Sequence, residues 1–364
     1  MLYALPDHEV MESLLPGIGD RTLTLAEARQ ALQECPGLVP VAVDPNAGGW
    51  VYFADIGDTP LKEWKHIYTI ERLAAEGRIE QSFSTELTIL EDPLPEPGSV
   101  PLHGLIFHVS RCGSTLFSKA LARSDRNLMI TQGGPLQDGF WAALSSHWRY
   151  PPDPSPRNLT MLRNLVALMA RRRRPEYERC FVKMISWNTV YLEFFRAAFP
   201  DTPALYIYRD PTEVIATILE ETTAALRAKG SLQATVMSGL PEADTVDMAP
   251  EAYLAHCYAH YFDTVLGYEG DGLSLVNYSD LRMSEAFSRI VEQGFGLDVD
   301  AAELAQMQDQ YRYYSKDDSN RTPYRGEPEG LETRLDALQR ARVRAIVGSR
   351  LESLDRSSRN LFPA

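Results

Sequence analysis

From His103 onward, short apolar runs alternate with helical patterns, and this alternation leaves few folds open to the chain. Residues 103–109, 128–131, 180–185, 204–208 and 273–277 read as strands with no polar face. Residues 114–123, 159–174, 189–199, 211–229 and 284–294 carry helical periodicity. Strands buried on both faces and joined by helices form a parallel sheet covered on each side, so the expected class is α/β. Ligands of such sheets bind outside the carboxyl ends of the strands.

The first of these strand ends carries chemistry. Leu105-Ile-Phe-His-Val runs into Ser110-Arg-Cys-Gly-Ser-Thr-Leu116, and a helix rich in alanine and leucine follows. The first N–H groups of a helix lack intrahelical acceptors and carry the positive end of the helix dipole, so an anion suits this junction. Gly113 permits close backbone approach, while Arg111, Ser114 and Thr115 add side-chain donors around Cys112 and Leu116. Cys112 reads as a small residue in a tight turn, although a thiol at a helix N-terminus can have its anion stabilised and so be oxidisable. A loop for nucleoside triphosphates places lysine directly after its second glycine; here Ser114 follows Gly113, and the cation stands earlier, at Arg111.

The Arg-x-Gly-Ser-Thr order resembles the 5′-phosphosulfate loop of the sulfotransferase family. A second segment adds to the resemblance: residues 204–208 end in Arg209-Asp210-Pro211, and Thr217 lies eight positions after the arginine. The resemblance implies that Arg209 and Thr217 grip the 3′-phosphate of the donor 3′-phosphoadenylyl sulfate. A planar guanidinium suits phosphate oxygens, and Pro211 suits a first helical turn. A plain capped turn with an Arg–Asp pair is the other reading of that segment.

Near the carboxyl end, residues 311–325 form a cationic, aromatic, turn-rich loop, and Ser315-Lys316 is similar to a Ser-Lys pair in the family's late nucleotide-closing loop. Lys183, in Phe181-Val-Lys-Met-Ile185, resembles the family's strand-end lysine and is expected to act with Arg111 on the leaving group. The general base departs from the pattern. The position of the family's histidine is Ile185, and Gln132 stands where other branches carry glutamate. Asp138 is the nearest downstream carboxylate and becomes the candidate base, against the reading that it caps the next helix; His108, His147 and Glu220 are the alternatives.

The resemblance therefore implies sulfuryl transfer to a hydroxyl or amine of a small molecule, with no metal required. A nucleotide-dependent kinase with a degenerate loop and a non-catalytic nucleotide-binding protein are the rival readings. His256 and His260 have i, i+4 spacing but no evident third ligand, and Arg171-Arg-Arg-Arg174 reads as a solvated helix terminus.

Residues 1–98 read as an α+β extension with helices at 23–32 and 67–75 and strands at 39–43 and 50–54. The proline-rich stretch 91–101 marks the boundary before an α/β domain at 99–364, which carries a lid at 230–250 and a helical C-terminal segment. The extension is open to three uses: packing, a homodimer surface, or part of the acceptor pocket. A net charge of −14 argues against nucleic acid or an anionic membrane as a partner. The amino terminus lacks a basic start with an apolar core, and four scattered cysteines show no paired spacing, so the expected compartment is the cytoplasm.

Overall fold

The computed structural model describes residues 17–91, 98–220, 223–326 and 334–363. The chain first forms a three-stranded antiparallel sheet from β1 (Leu38–Asp44), β2 (Trp50–Asp55) and β3 (Ser82–Glu86), in that order. The sequence reading missed β3, whose Ser and Thr residues interrupt the apolar run; Ser84 and Thr85 instead bond the carbonyls of Gly19 and Leu23.

The second sheet is parallel throughout. It contains β4 (Leu102–His108), β5 (Asn127–Thr131), β6 (Arg179–Lys183), β7 (Ala204–Tyr208) and β8 (Leu273–Asn277), in the order β5-β6-β4-β7-β8. Strands β5, β6 and β7 are buried at every position, as expected for a sheet covered on both faces. From β4 the chain passes to the edge strand β5, returns through β6 beside β4, and then crosses to β7 and β8 on the other side, so the direction of winding changes between β4 and β7. Their register, His108 against Ile207, brings the loops after both strands to one edge. A ligand crevice belongs at such a switch point.

The two sheets share one buried apolar cluster. The four consecutive arginines stand at this junction, which corrects the reading of a solvated helix end. The helix stops at Met169; Arg171, 3% exposed, donates to the carbonyls of Leu32, Cys35 and Leu38, and Arg173 to those of Gly57 and Thr59. Carbonyls of the front segment thus hold both cations inside the protein.

The expected lid is not a structureless loop. Residues 223–249 carry short helices at Ala224–Ala228, Leu232–Ser238 and Glu242–Val246, and the helix predicted over 211–229 is observed at Pro211–Glu220. Helix Pro250–Gly267 packs against the last helix, Ala337–Asp355. No described helix is long and apolar enough to cross a membrane.

Candidate active site

The loop after β4 turns by left-handed backbone. Arg111 has φ 58° and Gly113 φ 77°, and helix Ser114–Leu121 starts immediately afterwards. A non-glycine residue in that region is strained, and strain of this kind gathers at ligand clamps. A Cβ on Gly113 would stand 2.7 Å from the Tyr278 ring and 2.8 Å from Leu281 Cδ2, so the loop is seated directly on the end of β8. Tyr278 has a second contact: the Arg209 guanidinium lies 4.3 Å from its ring centroid. Sequence reasoning missed Tyr278, because an aromatic residue after an apolar strand gives no sign of what it covers.

The two expected anion grips are adjacent. Arg209 Nη1 donates to the carbonyl oxygen of Arg111 at 3.2 Å, across the β4–β7 seam. Arg209 is 6% exposed, and its Nε and Nη2 bond Glu213 at 2.8 and 2.7 Å. Asp210 is not its partner; that carboxylate turns to the Thr212 N–H and hydroxyl and caps its own helix. Thr217 lies one turn beyond Glu213, where its hydroxyl donates to the Glu213 carbonyl at 3.4 Å.

Lys183, at the end of β6, is fully buried and donates from Nζ to Thr115 Oγ1 at 3.2 Å. Burial, and then the positive charges of Lys65 and Lys316, push its pKa down from 10.5 to about 7. Gln132, with φ 49°, follows the neighbouring strand end and donates its N–H to the Lys183 carbonyl. Cys112 is fully buried in the turn, and burial pushes its thiol up to about 11, which suits the small packed residue expected there and not the alternative of an oxidisable anion.

The late loop closes over this edge. Lys119 of the loop helix, 4% exposed, donates to the Asp317 carbonyl at 2.9 Å and to Asp318 at 3.1 Å. Asp318 also accepts the Trp64 N–H at 2.9 Å, and Lys316, which follows Ser315 in a turn, lies 5.5 Å from the Trp64 ring centroid. The front segment therefore reaches the same edge as Lys183, which the proline-rich boundary in the sequence obscured.

Asp138 is buried at the N-terminus of helix Gly139–Leu144 but caps nothing; its Oδ1 accepts from Gln233 Nε2 at 2.7 Å. Burial raises its pKa to about 6, against the opposing pull of that bond and of Arg227. The hydroxyl of Tyr191, stacked on Trp141, is buried without a hydrogen bond in the neighbourhood of Asp138. Among the alternative bases, His108 is enclosed by the carbonyls of Val109 and Met184, and burial pushes it down to about 3. Glu220 is turned away to Arg334 at 2.8 Å, and His147 lies in a left-handed turn with φ 59°. Among the described residues no group of three or more His, Cys, Asp or Glu side chains is placed to hold a metal.

No protein-family model and no curated protein matches the chain. It is similar to solved structures of sulfotransferases. The sulfotransferase STF9 of Mycobacterium avium aligns at 12% identity and TM-score 0.44 over 75% of this chain and 80% of that one. The sulfotransferase domain of the curacin biosynthetic pathway aligns at 13% identity and TM-score 0.40 over 69% and 98%. That of the Synechococcus PCC 7002 olefin synthase aligns at 15% and 0.35 over 69% and 88%. The likeness is one of fold alone.

Proposed function

We propose that this chain is a sulfotransferase that takes 3′-phosphoadenylyl sulfate as donor and a hydroxyl or amine of a small molecule as acceptor. The observation that carries the reading is the Arg209 to Arg111 bond, because it sets two anion-binding corners side by side at the switch point of the sheet. One corner suits the 5′-phosphosulfate and the other the 3′-phosphate of one nucleotide. When bound, the donor supplies a sulfuryl group that passes in line to the acceptor oxygen or nitrogen as the S–O bond to the 5′-phosphate breaks.

Gly113, Ser114, Thr115 and Leu116 present backbone N–H groups at the start of the loop helix, around the buried Cys112. Arg111 and Lys183 neutralise the charge that gathers on the departing phosphate oxygen, and Thr115 Oγ1 holds the Lys183 ammonium in place. Arg209 and Thr217 hold the 3′-phosphate, with Ser315 and Lys316 over the nucleotide. Asp138 takes the acceptor proton. Its raised pKa, near 6, leaves it ionised at neutral pH yet more basic than a free carboxylate. A kinase reading lacks the lysine after the second glycine that would reach terminal phosphates.

The direct test is acceptor-dependent release of adenosine 3′,5′-bisphosphate from sulfur-labelled donor, with label recovered in the acceptor. Lys183→Met is expected to lower kcat at least 100-fold. Release of no bisphosphate across a broad panel of phenols, alcohols and amines contradicts the reading.

A further inference from the structure

The late loop has a shape fixed by its own bonds. Tyr313 bridges Pro323, the Tyr314 N–H donates to the Thr322 carbonyl at 2.8 Å, and the Tyr324 N–H donates to the Arg312 carbonyl at 2.8 Å, so the loop is a hairpin. Its tip is folded round one carboxylate. Asp317 Oδ1 accepts the Ser319 N–H at 2.9 Å and the Ser319 hydroxyl at 2.5 Å. Asp317 Oδ2 accepts the N–H groups of Arg321 at 3.0 Å and Thr322 at 2.7 Å. Bonds to an ionised acceptor are the strong ones, and these four tie the turn to a single side chain.

Lys119 seats that tip on the phosphate loop. It stands on helix Ser114–Leu121 one turn after Thr115, the residue that accepts from Lys183, and it is 4% exposed. Its ammonium goes to the hairpin, 2.9 Å from the Asp317 carbonyl oxygen and 3.1 Å from Asp318 Oδ1. A buried ammonium is costly when its bonds are broken, so hairpin and loop helix are held together. The same Asp318 oxygen accepts the Trp64 N–H at 2.9 Å, which brings the front segment into the clamp. Ser315 and Lys316 directly precede the caged Asp317.

We propose that Asp317 and Lys119 are positioning residues for the donor: Asp317 sets the shape of the late loop, and Lys119 clamps that loop to the phosphate-loop helix, so that Ser315 and Lys316 stand over the nucleotide. Neither positioning residue touches the nucleotide itself. The proposal rests on the sulfotransferase reading. A loop already held in its binding conformation need not be ordered by the donor, whereas a released loop lowers apparent affinity in proportion to the fraction of time it spends in place. Through Trp64 the front segment gains a use on the donor side of the site.

The test uses the full chain, adenosine 3′,5′-bisphosphate and amide hydrogen exchange. The amides of Ser319, Arg321 and Thr322 are expected to exchange slowly in the nucleotide-free protein and to change less than threefold when bisphosphate is added. Lys119→Met keeps the side-chain length and removes the charge, and Asp317→Asn sets an amide NH2 against N–H groups that need an acceptor. Each variant is expected to speed that exchange at least tenfold and to weaken bisphosphate binding about tenfold, with KM for the donor raised to match and kcat within threefold. The double variant is expected to bind within threefold of the weaker single variant, because a loop that contributes nothing has nothing left to lose. A double variant weaker than that overturns the proposal, since Lys119 then reaches the nucleotide independently of the loop. Exchange that is fast until bisphosphate is added, or unchanged binding in Lys119→Met, overturns it as well. Failure of the unaltered protein to bind bisphosphate defeats the sulfotransferase reading itself, while the exchange rates still decide whether Lys119 and Asp317 hold the loop.

Discussion

The Arg209 guanidinium donates to the Arg111 carbonyl across the seam of β4 and β7, at 3.2 Å. One side chain thereby braces the strained turn of the first corner while forming the second. On the proposed function, removing it has two effects: the 3′-phosphate loses its fork, and the Arg111 turn loses a charged donor. A hydrogen bond to a charged group contributes roughly 1.5–3 kcal/mol, so Arg209→Ala is expected to weaken adenosine 3′,5′-bisphosphate binding about 10- to 100-fold or more. Arg209→Lys is expected to restore little, because a lysine cannot reach both partners in one plane. Calorimetry on both variants checks this.

Glu213 occupies two of the nitrogens that a phosphate would use, at 2.8 and 2.7 Å. An incoming dianion must displace or repel that carboxylate. Glu213→Gln is therefore expected to tighten bisphosphate binding several-fold, and weaker binding in this variant counts against Arg209 as the 3′-phosphate grip.

Lys183 gives a proton-linked prediction. Its pKa in the free protein is about 7, below the ordinary 10.5, so it is mostly neutral at pH 8. An anion beside it favours the charged form and raises the pKa, so binding at pH 8 takes up close to one proton. Affinity falls as pH rises from about 7 toward the pKa of the bound state. Titration in buffers of different ionisation enthalpy measures the uptake, and Lys183→Met is expected to abolish it.

Asp138 gives a prediction of opposite signs for stability and rate. Its pKa is raised from 3.8 to about 6, so its contribution to stability is full below pH 4 and lost as pH rises through 6. At pH 7 the buried charge is a cost, on the order of 3 kcal/mol. Asp138→Asn keeps an oxygen for Gln233 and is expected to raise Tm at pH 7 while lowering kcat at least 100-fold. In the unaltered protein kcat is expected to fall tenfold per pH unit below about 6. A Tm gain with unchanged kcat removes Asp138 from the chemistry.

Gly113→Ala tests the seat of the loop. The position has φ 77°, and the added methyl would meet Tyr278 and Leu281 at under 3.0 Å. Left-handed backbone costs a non-glycine residue roughly 1–2 kcal/mol before any clash. The expected result is a lowered Tm together with loss of bisphosphate binding; Tyr278→Ala in the same chain is expected to recover part of the Tm by clearing the ring.

Strands β7 and β8 were legible to the residue, because β7 is a short run of fully buried side chains and β8 is built on the buried Leu273, Leu275 and Val276. The turn after β4 and the helix start at Ser114 were legible because glycine beside hydroxyl residues marks a strand–helix joint. The stop of the helix at Met169 was not, since the arginines that follow have good helix propensity and the carbonyls they bond are over 110 residues away. Trp64 was invisible for the same reason: its partner Asp318 is 254 residues distant, and no local pattern marks such a contact. The segment 230–250 looked like a loop because helices of five to seven residues leave too few turns for a periodic signal.

The central claim is that the corners at Arg111 and Arg209 hold opposite ends of one adenine nucleotide carrying 3′ and 5′ phosphates. Calorimetric titration with adenosine 3′,5′-bisphosphate, adenosine 5′-diphosphate and ATP, with and without magnesium, tests it most directly. The account predicts at least tenfold tighter binding of the bisphosphate than of either other nucleotide, little changed by magnesium and lost in Arg209→Ala. Equal affinity for all three, or magnesium-dependent preference for ATP, contradicts it.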